Sequence, residues 1–340
     1  MTTAQVSSRR GAQRQARGRG LGIGAITITS VLWGTTGTAA TFAPDAGPFA
    51  IGSAALGIGG LLQALIALPA LRAARHRLRA HWGLLVLGGL AVMIYPLAFY
   101  SSMHYAGVAI GSVVSLASAP LASGMLERLV DGKPLSRWWM LAAGLGITGS
   151  TMLCLAKMNE PASSTAETVG GIAAGLVAGA TYATFSWAVH RLMEEGAGRA
   201  ASMGAVFGVG GLLLMPVLVI TGAPLVASGE AFAVAAYMAL VPMFLGYLLF
   251  GFGLTRVPAS TATTVTLTEP AVAALLAVII VGEQLSGLGW AGLAVIAAVL
   301  VILAVAPTNA AESGGAAGRG EGPGRGPGTG DEQREPMPVP

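Results

Sequence analysis

Charge is what this sequence has least of. Only 10% of its 340 residues are Asp, Glu, Lys or Arg, against about 25% in an ordinary soluble domain. Hydrophobic residues make up 54%. That balance excludes a soluble protein, which needs polar surface to meet water; lipid is the solvent that accepts such a chain. Cysteine is almost missing as well. The single Cys154 lies in an apolar run, so an internal disulfide and a cysteine metal cluster are both excluded, and a small buried hydrophobe is the expected role. There is no G-x-x-x-x-G-K-[ST], so the chain does not hydrolyse ATP, and there is no H-E-x-x-H. Gly144-Leu-Gly-Ile-Thr-Gly149 spells G-x-G-x-x-G, but it sits inside an apolar run with no strand before it. It reads as small-residue helix packing, as do Gly107–Gly111 and Gly204–Gly208. The 50 glycines follow no G-X-Y period, which excludes collagen. Catalytic residues, a metal and a cofactor are not expected.

What the chain does contain is long apolar runs. A helix needs roughly 20 apolar residues to cross the hydrocarbon core. Ten stretches qualify: 21–42, 48–70, 83–103, 106–126, 138–156, 170–190, 201–222, 231–254, 258–281 and 286–306. The spacing predicts an all-α membrane protein of ten transmembrane helices. Ser101, Ser102 and His104 make a short break between the third and fourth spans. Across all ten, Glu269 is the one Asp, Glu, Lys or Arg. The Arg-rich segment 1–20 and the run after it are too long for a signal peptide and lack a small-residue cleavage site, so the first span reads as a retained helix. The tail at 307–340 has almost nothing to bury, with nine Gly and five Pro in its last 30 residues, and is expected to be disordered.

The basic residues give the orientation. Arg9, Arg10, Arg14, Arg17 and Arg19 precede the first span, and Arg72, Arg75, Arg77 and Arg79 fall in the 71–82 loop. Arg128, Lys133, Arg137, Arg191, Arg199, Arg256 and the tail's Arg319, Arg325 and Arg334 fall on the same side of a ten-helix chain. Lys157 alone falls on the other, a division of eighteen to one. By the positive-inside rule both termini are expected in the cytoplasm of a cell (inner or plasma) membrane. The same distribution explains the net charge of +4 without nucleic acid.

An internal repeat runs at an offset of 150 residues: Ala109 pairs with Ala259, Pro120 with Pro270, and Gly132-Lys-Pro-Leu-Ser136 with Gly282-Glu-Gln-Leu-Ser286. The repeat is five helices long, which divides the chain into halves at 21–156 and 170–306. An odd helix count turns the second copy upside down, the inverted-topology arrangement of many secondary transporters.

These residues resemble the drug/metabolite transporter superfamily in its EamA-type ten-helix branch. Leu32-Trp33-Gly34-Thr35-Thr36 is similar to that family's opening Trp-Gly segment. Leu267-Thr268-Glu269-Pro270 and Val281-Gly282-Glu283-Gln284-Leu285-Ser286 resemble its Glu-Pro helix and following loop. The first half keeps Pro120 but has Ala119 in place of a Glu, and Lys133 in place of the loop Glu. The resemblance implies export or uptake of amino acids, other metabolites or drugs by a single polypeptide or a homodimer, and leaves the substrate open.

Glu269 is the sharpest candidate. A charge near the bilayer midplane costs about 2.5–3.5 kcal/mol on an insertion scale. A carboxyl that changes protonation there could couple protons to transport or pair with an amine; the alternative is a structural hydrogen bond between helices. Thr266 lies on the flank of its helix face, in a hydroxyl-rich segment, Ser260 to Thr268, that equally suits close packing. Pro120 and Pro270 each remove a backbone donor at matched places, predicting helix breaks there. Trp33, Tyr95, Tyr100, Trp187 and Tyr247 could wall a cavity or simply pack. A carrier of small metabolites is the leading function, an exporter of lipophilic cations is the second, and a membrane enzyme or receptor without transport is a different class. No Lys or Arg lies in a span to meet a phosphorylated solute.

Overall fold

A computed structural model describes residues 3–40, 42–106, 108–156, 165–276, 278–279 and 286–305. Lys157, most of the 282–286 loop, the 307–340 tail and the side chain of Cys154 lie outside the described residues. Among the described residues every regular element is helical.

In chain order these are α1 (Thr3–Gly34), α2 (Thr36–Ala40), α3 (Pro48–Gly52), α4 (Gly59–Ile66), α5 (Leu68–Ala80), α6 (Trp82–Ala106), α7 (Val108–Leu129), α8 (Arg137–Leu155), α9 (Thr165–Glu194), α10 (Arg199–Thr221), α11 (Gly229–Met238), α12 (Gly246–Leu254), α13 (Ala259–Val265), α14 (Glu269–Leu276) and α15 (Gly287–Val305). A π-helical stretch, Ser53–Ile58, joins α3 to α4, and another, Ala239–Leu245, joins α11 to α12. A 3₁₀ turn, Thr266–Thr268, joins α13 to α14. Among the described residues five helices are long and apolar enough to cross a membrane by length and composition: Pro48–Ile66, Trp82–Ala106, Ala166–Glu194, Arg199–Thr221 and Gly229–Leu254. The apolar part of α1 with α2, then α7, α8, the broken α13–α14 and the shorter α15 complete ten spans, numbered 1 to 10 below. The expected break at Ser101, Ser102 and His104 is absent. α6 continues to Ala106, and buried Ser102 donates to the Gly171 carbonyl at 2.7 Å, which lets a hydroxyl stay inside the helix packing.

The packing has the symmetry that an inverted repeat demands. Span 3 packs on span 6, and span 8 on span 1; span 4 packs on span 6, and span 9 on span 1; span 3 packs on span 7, and span 8 on span 2. Spans 2 and 7, 4 and 9, and 5 and 10 pack on one another, so each of these pairs maps onto itself. Exchanging each span with the one five places on therefore leaves the main contacts unchanged. The fold is two inverted five-helix repeats. Glycine allows the closest approaches. A Cβ at Gly60 would run into the Phe207 carbonyl, one at Gly204 into Ala67, and one at Gly149 into Ile296 and the Gly292 carbonyl. Gly146 likewise meets Leu267. The G-x-G-x-x-G stretch is thus a packing seam, with Gly146 and Gly149 as its contacts.

Candidate functional site

Span 9 is built to present a carboxyl. Pro270 has no N–H to return to the turn before it, and its ring crowds that turn. The chain tightens there into the 3₁₀ turn Thr266–Thr268, and α14 restarts on Glu269. Hydroxyls hold the turn: Thr266 Oγ1 donates to the Thr263 carbonyl at 2.9 Å and Thr268 Oγ1 to that of Val265 at 2.8 Å. Pro120 behaves differently. α7 runs unbroken through it, which corrects the expectation of matched breaks. Of the two hydroxyls that hold the turn, that of Thr268 has a counterpart in Ser118, which donates to the Ser115 carbonyl at 3.2 Å, whereas the counterpart of Thr266 is Leu116.

Glu269 is 9% exposed. It opens onto a narrow cavity lined by Trp33, Thr36, Gly52, Ala55, Leu56, Tyr95, Pro96, Phe99, Tyr100, Met243, Tyr247 and Glu269. No basic residue lines it, and among the described residues no protein group hydrogen-bonds to the Glu269 carboxyl. Spans 1, 2, 3, 8 and 9 supply the wall, so both halves contribute. The structure brings together Trp33, Tyr95, Tyr100 and Glu269 from the residues singled out in the sequence, with Tyr247. Thr266 sits just below, fully buried, its hydroxyl 3.0 Å from the Tyr182 hydroxyl.

Trp187 does not belong to this cavity. Its Nε1 donates to Asp131 Oδ2 at 2.9 Å, near the end of α9 on the face of the protein that carries the N-terminus. At 100° per residue Trp187 points well away from Tyr182 and Phe185, which take the inward-facing positions of α9. Tyr182, Thr36, Phe99 and Met243 were not recognisable as site residues from type alone. Tyr182 was the accessible one, since it lies at mid-depth of its span.

Below the cavity, toward the N-terminal face, aromatic rings close the path. Trp33 stands 4.7 Å from Tyr247 and 6.1 Å from Tyr182 between ring centroids; Tyr182 is 5.2 Å from Phe185, and Phe207 is 4.4 Å from Tyr247. Trp33 Nε1 donates to the Pro242 carbonyl at 2.9 Å, which ties span 1 to the π-helical stretch of span 8. On the N-terminal face itself, Asp131 lies 3.8 Å from both Lys133 and Arg191, Lys133 is 2.7 Å from Glu194, and Arg191 is 3.2 Å from Glu195. Glu127, expected in a loop, is on the last turn of α7 and 5% exposed. Its two carboxylate oxygens accept from the Ser260 N–H at 2.9 Å and the Ser260 hydroxyl at 2.6 Å. Among the described residues two glutamates are thus buried, one facing a cavity without a protein partner and one fully engaged. Among the described residues no group of His, Cys, Asp and Glu is placed to hold a metal ion.

Comparison with known proteins gives the family and the fold. The EamA-like transporter family matches the chain twice, at residues 20–155 and 169–305. Over 284 residues the chain is 32% identical to the uncharacterized transporter YwfM of Bacillus subtilis (strain 168), covering 83% of this chain and 93% of that protein. A protein of known crystal structure superposes with a TM-score of 0.66 at 20% identity, over 85% of this chain and 96% of that one, a likeness of fold alone.

Proposed function

Because the chain belongs to the EamA-like transporter family, we propose that it exports small amine-bearing metabolites, amino acids among them, as a proton-coupled secondary carrier. It is a multi-pass membrane transporter and not an enzyme. The observation that carries the proposal is Glu269: a carboxyl at membrane depth, at the wall of a cavity shared by both halves, with no protein partner and no cation beside it. Such a group takes either a proton or a positively charged solute. Competition between the two couples their movements, because the site released by one is the site needed by the other. The five aromatic rings of the wall add faces on which an ammonium can rest.

Those rings also support a second reading, efflux of lipophilic cations, in which the aromatic wall takes the bulk of the solute and Glu269 its charge. On either reading both termini lie in the cytoplasm, by the eighteen-to-one division of Lys and Arg. The cavity then opens toward the outer side, and the aromatic layer closes the cytoplasmic side.

The test is flux from proteoliposomes loaded with a labelled amino-acid mixture or with a lipophilic organic cation, under an imposed pH gradient. The wild-type protein moves one pool in response to the gradient. Glu269→Gln reaches the membrane and stays monodisperse but loses the gradient-driven component. Gradient-driven flux that survives in Glu269→Gln refutes the coupling role, and the pool that moves decides between the two readings.

A further inference from the structure

The inverted repeat relates span 4 to span 9, and these two helices touch each other directly. Their contact on the N-terminal face is a polar ladder. Glu127 of span 4 takes the N–H and hydroxyl of Ser260 at 2.9 and 2.6 Å. About one turn deeper, Thr263 Oγ1 lies 3.2 Å from Ser123 Oγ. Both rungs are buried, and both join the first half of the chain to the second.

The sequence names the repeat counterparts of these residues. At the 150-residue offset the counterparts of Glu127 and Ser260 are Ala277 and Ile110; those of Ser123 and Thr263 are Ala273 and Val113. Every polar member of the ladder has an apolar counterpart. Between spans 4 and 9 the scaffold is symmetric, but among the described residues its polar rungs lie on the N-terminal side.

We propose that Glu127 is a latch: its hydrogen bonds to Ser260 hold spans 4 and 9 together on the N-terminal face and keep the path beneath Glu269 closed there until they part. It is a positioning residue, acting through span 9, and Ser123 with Thr263 is the second catch. From Ser260 to Glu269 span 9 rises roughly 13 Å, so the latch fixes the inner half of the helix whose outer half begins with the cavity carboxyl. Hydrogen bonds to a buried carboxylate are stronger than neutral ones, and a buried charge without its donors is strongly disfavoured. The pair therefore releases as a unit rather than by gradual stretching. The inference rests on the alternating-access reading above but not on proton coupling at Glu269.

Gln63 supplies a reporter. It is 1% exposed, both of its amide atoms lack partners, and it lies one turn beneath Gly59, which packs against Met243 of the cavity wall. In a Cys154→Ser background, a thiol introduced by Gln63→Cys is labelled with a membrane-impermeant maleimide supplied from the N-terminal face, in vesicles of matching orientation. The readout needs neither substrate nor a proton gradient, so failure of the Glu269 proposal leaves it intact. Glu127→Ala is expected to raise the labelling rate about tenfold, with Glu127→Gln in between. Equal rates in Glu127→Ala and the parent, both monodisperse, overturn the latch. A second measurement does not need Glu127 removed. Ser123→Cys with Thr263→Cys, oxidised to a disulfide before labelling, is expected to slow labelling at position 63 severalfold relative to the reduced protein. A bridged protein that labels as fast as the reduced one overturns the proposal as well, since a merely structural contact would not move the reporter.

Discussion

Replacing Trp33 with Phe removes one hydrogen bond at a place where its loss can be read. Trp33 is buried, its Nε1 donates to the Pro242 carbonyl at 2.9 Å, and Gly246 leaves just enough room for that nitrogen. Pro242 sits in the π-helical stretch Ala239–Leu245, where the regular ladder of helix bonds is disturbed. Trp33→Phe strips the carbonyl of this donor and leaves space where the larger ring stood. An orphaned buried acceptor costs about 1–3 kcal/mol, and the unfilled volume adds about 1 kcal/mol. The sum is a loss of about 2–4 kcal/mol, or roughly 4–8 °C in midpoint for a chain this large. The assay is apparent thermal unfolding in one detergent at one scan rate, because membrane proteins often unfold irreversibly. The control is Trp138→Phe. The Trp138 Nε1 is buried without a partner, so its removal leaves no orphan behind. The midpoint of that variant is expected to stay within about 2 °C of wild type. Equal drops in the two variants would refute the reasoning, because they would show ring size, and not the hydrogen bond to span 8, setting the loss.

Asp131 gathers the Trp187 N–H, Lys133 and Arg191. Asp131→Ala is expected to lower the apparent unfolding midpoint by the equivalent of about 2 kcal/mol, and Asp131→Asn by about half of that, since the amide still accepts from Trp187. If the two lower it equally, the charges and not the indole bond dominate. Gly60→Leu forces a side chain against the Phe207 carbonyl. Overpacking of this kind costs about 1–3 kcal/mol, and midpoint and yield should both fall; an unchanged midpoint would mean that spans 2 and 7 are not packed as closely as described.

Much of the fold can be read from the sequence because lipid is so restrictive a solvent. Backbone groups without water must bond within helices, so runs of about 20 apolar residues mark spans almost directly. Paired motifs at a fixed offset expose the repeat in the same way. The site was legible where a residue is costly wherever it sits: Glu269 stands out because a lone carboxyl at that depth is expensive. It was not legible where the role depends on rotation about a helix or on a partner far away in sequence. Tyr182 and Trp187 are both aromatics in one span, and only their directions on α9 separate them. Glu127 precedes Arg128 at the end of an apolar run and reads as the start of a loop; the bonds that bury it come from Ser260, 133 residues away. The two prolines look equivalent in sequence, yet a threonine hydroxyl beside one of them goes with a break that the other lacks.

The one-sided placement of polar groups bears on direction of transport. In a perfectly symmetric inverted repeat, the two conformations related by exchanging the halves have equal energies, and neither side of the membrane is preferred. Every group without a counterpart removes that equality. Glu269 has Ala119 as its repeat mate, so the cavity carboxyl belongs to the second half alone. The Glu127–Ser260 ladder has only apolar mates in the sequence, so on the proposed latch it favours one of the two conformations. A ligand shifts such an equilibrium only by its differential affinity for the two states. If the two proposals hold, a solute arriving from the latched side must offset the latch before it can be carried, whereas a proton reaching Glu269 from the other side meets no such barrier. On the proposed reading the resting carrier waits open to the outside, and the fold that permits movement in both directions is biased by a few unpaired side chains rather than by its architecture.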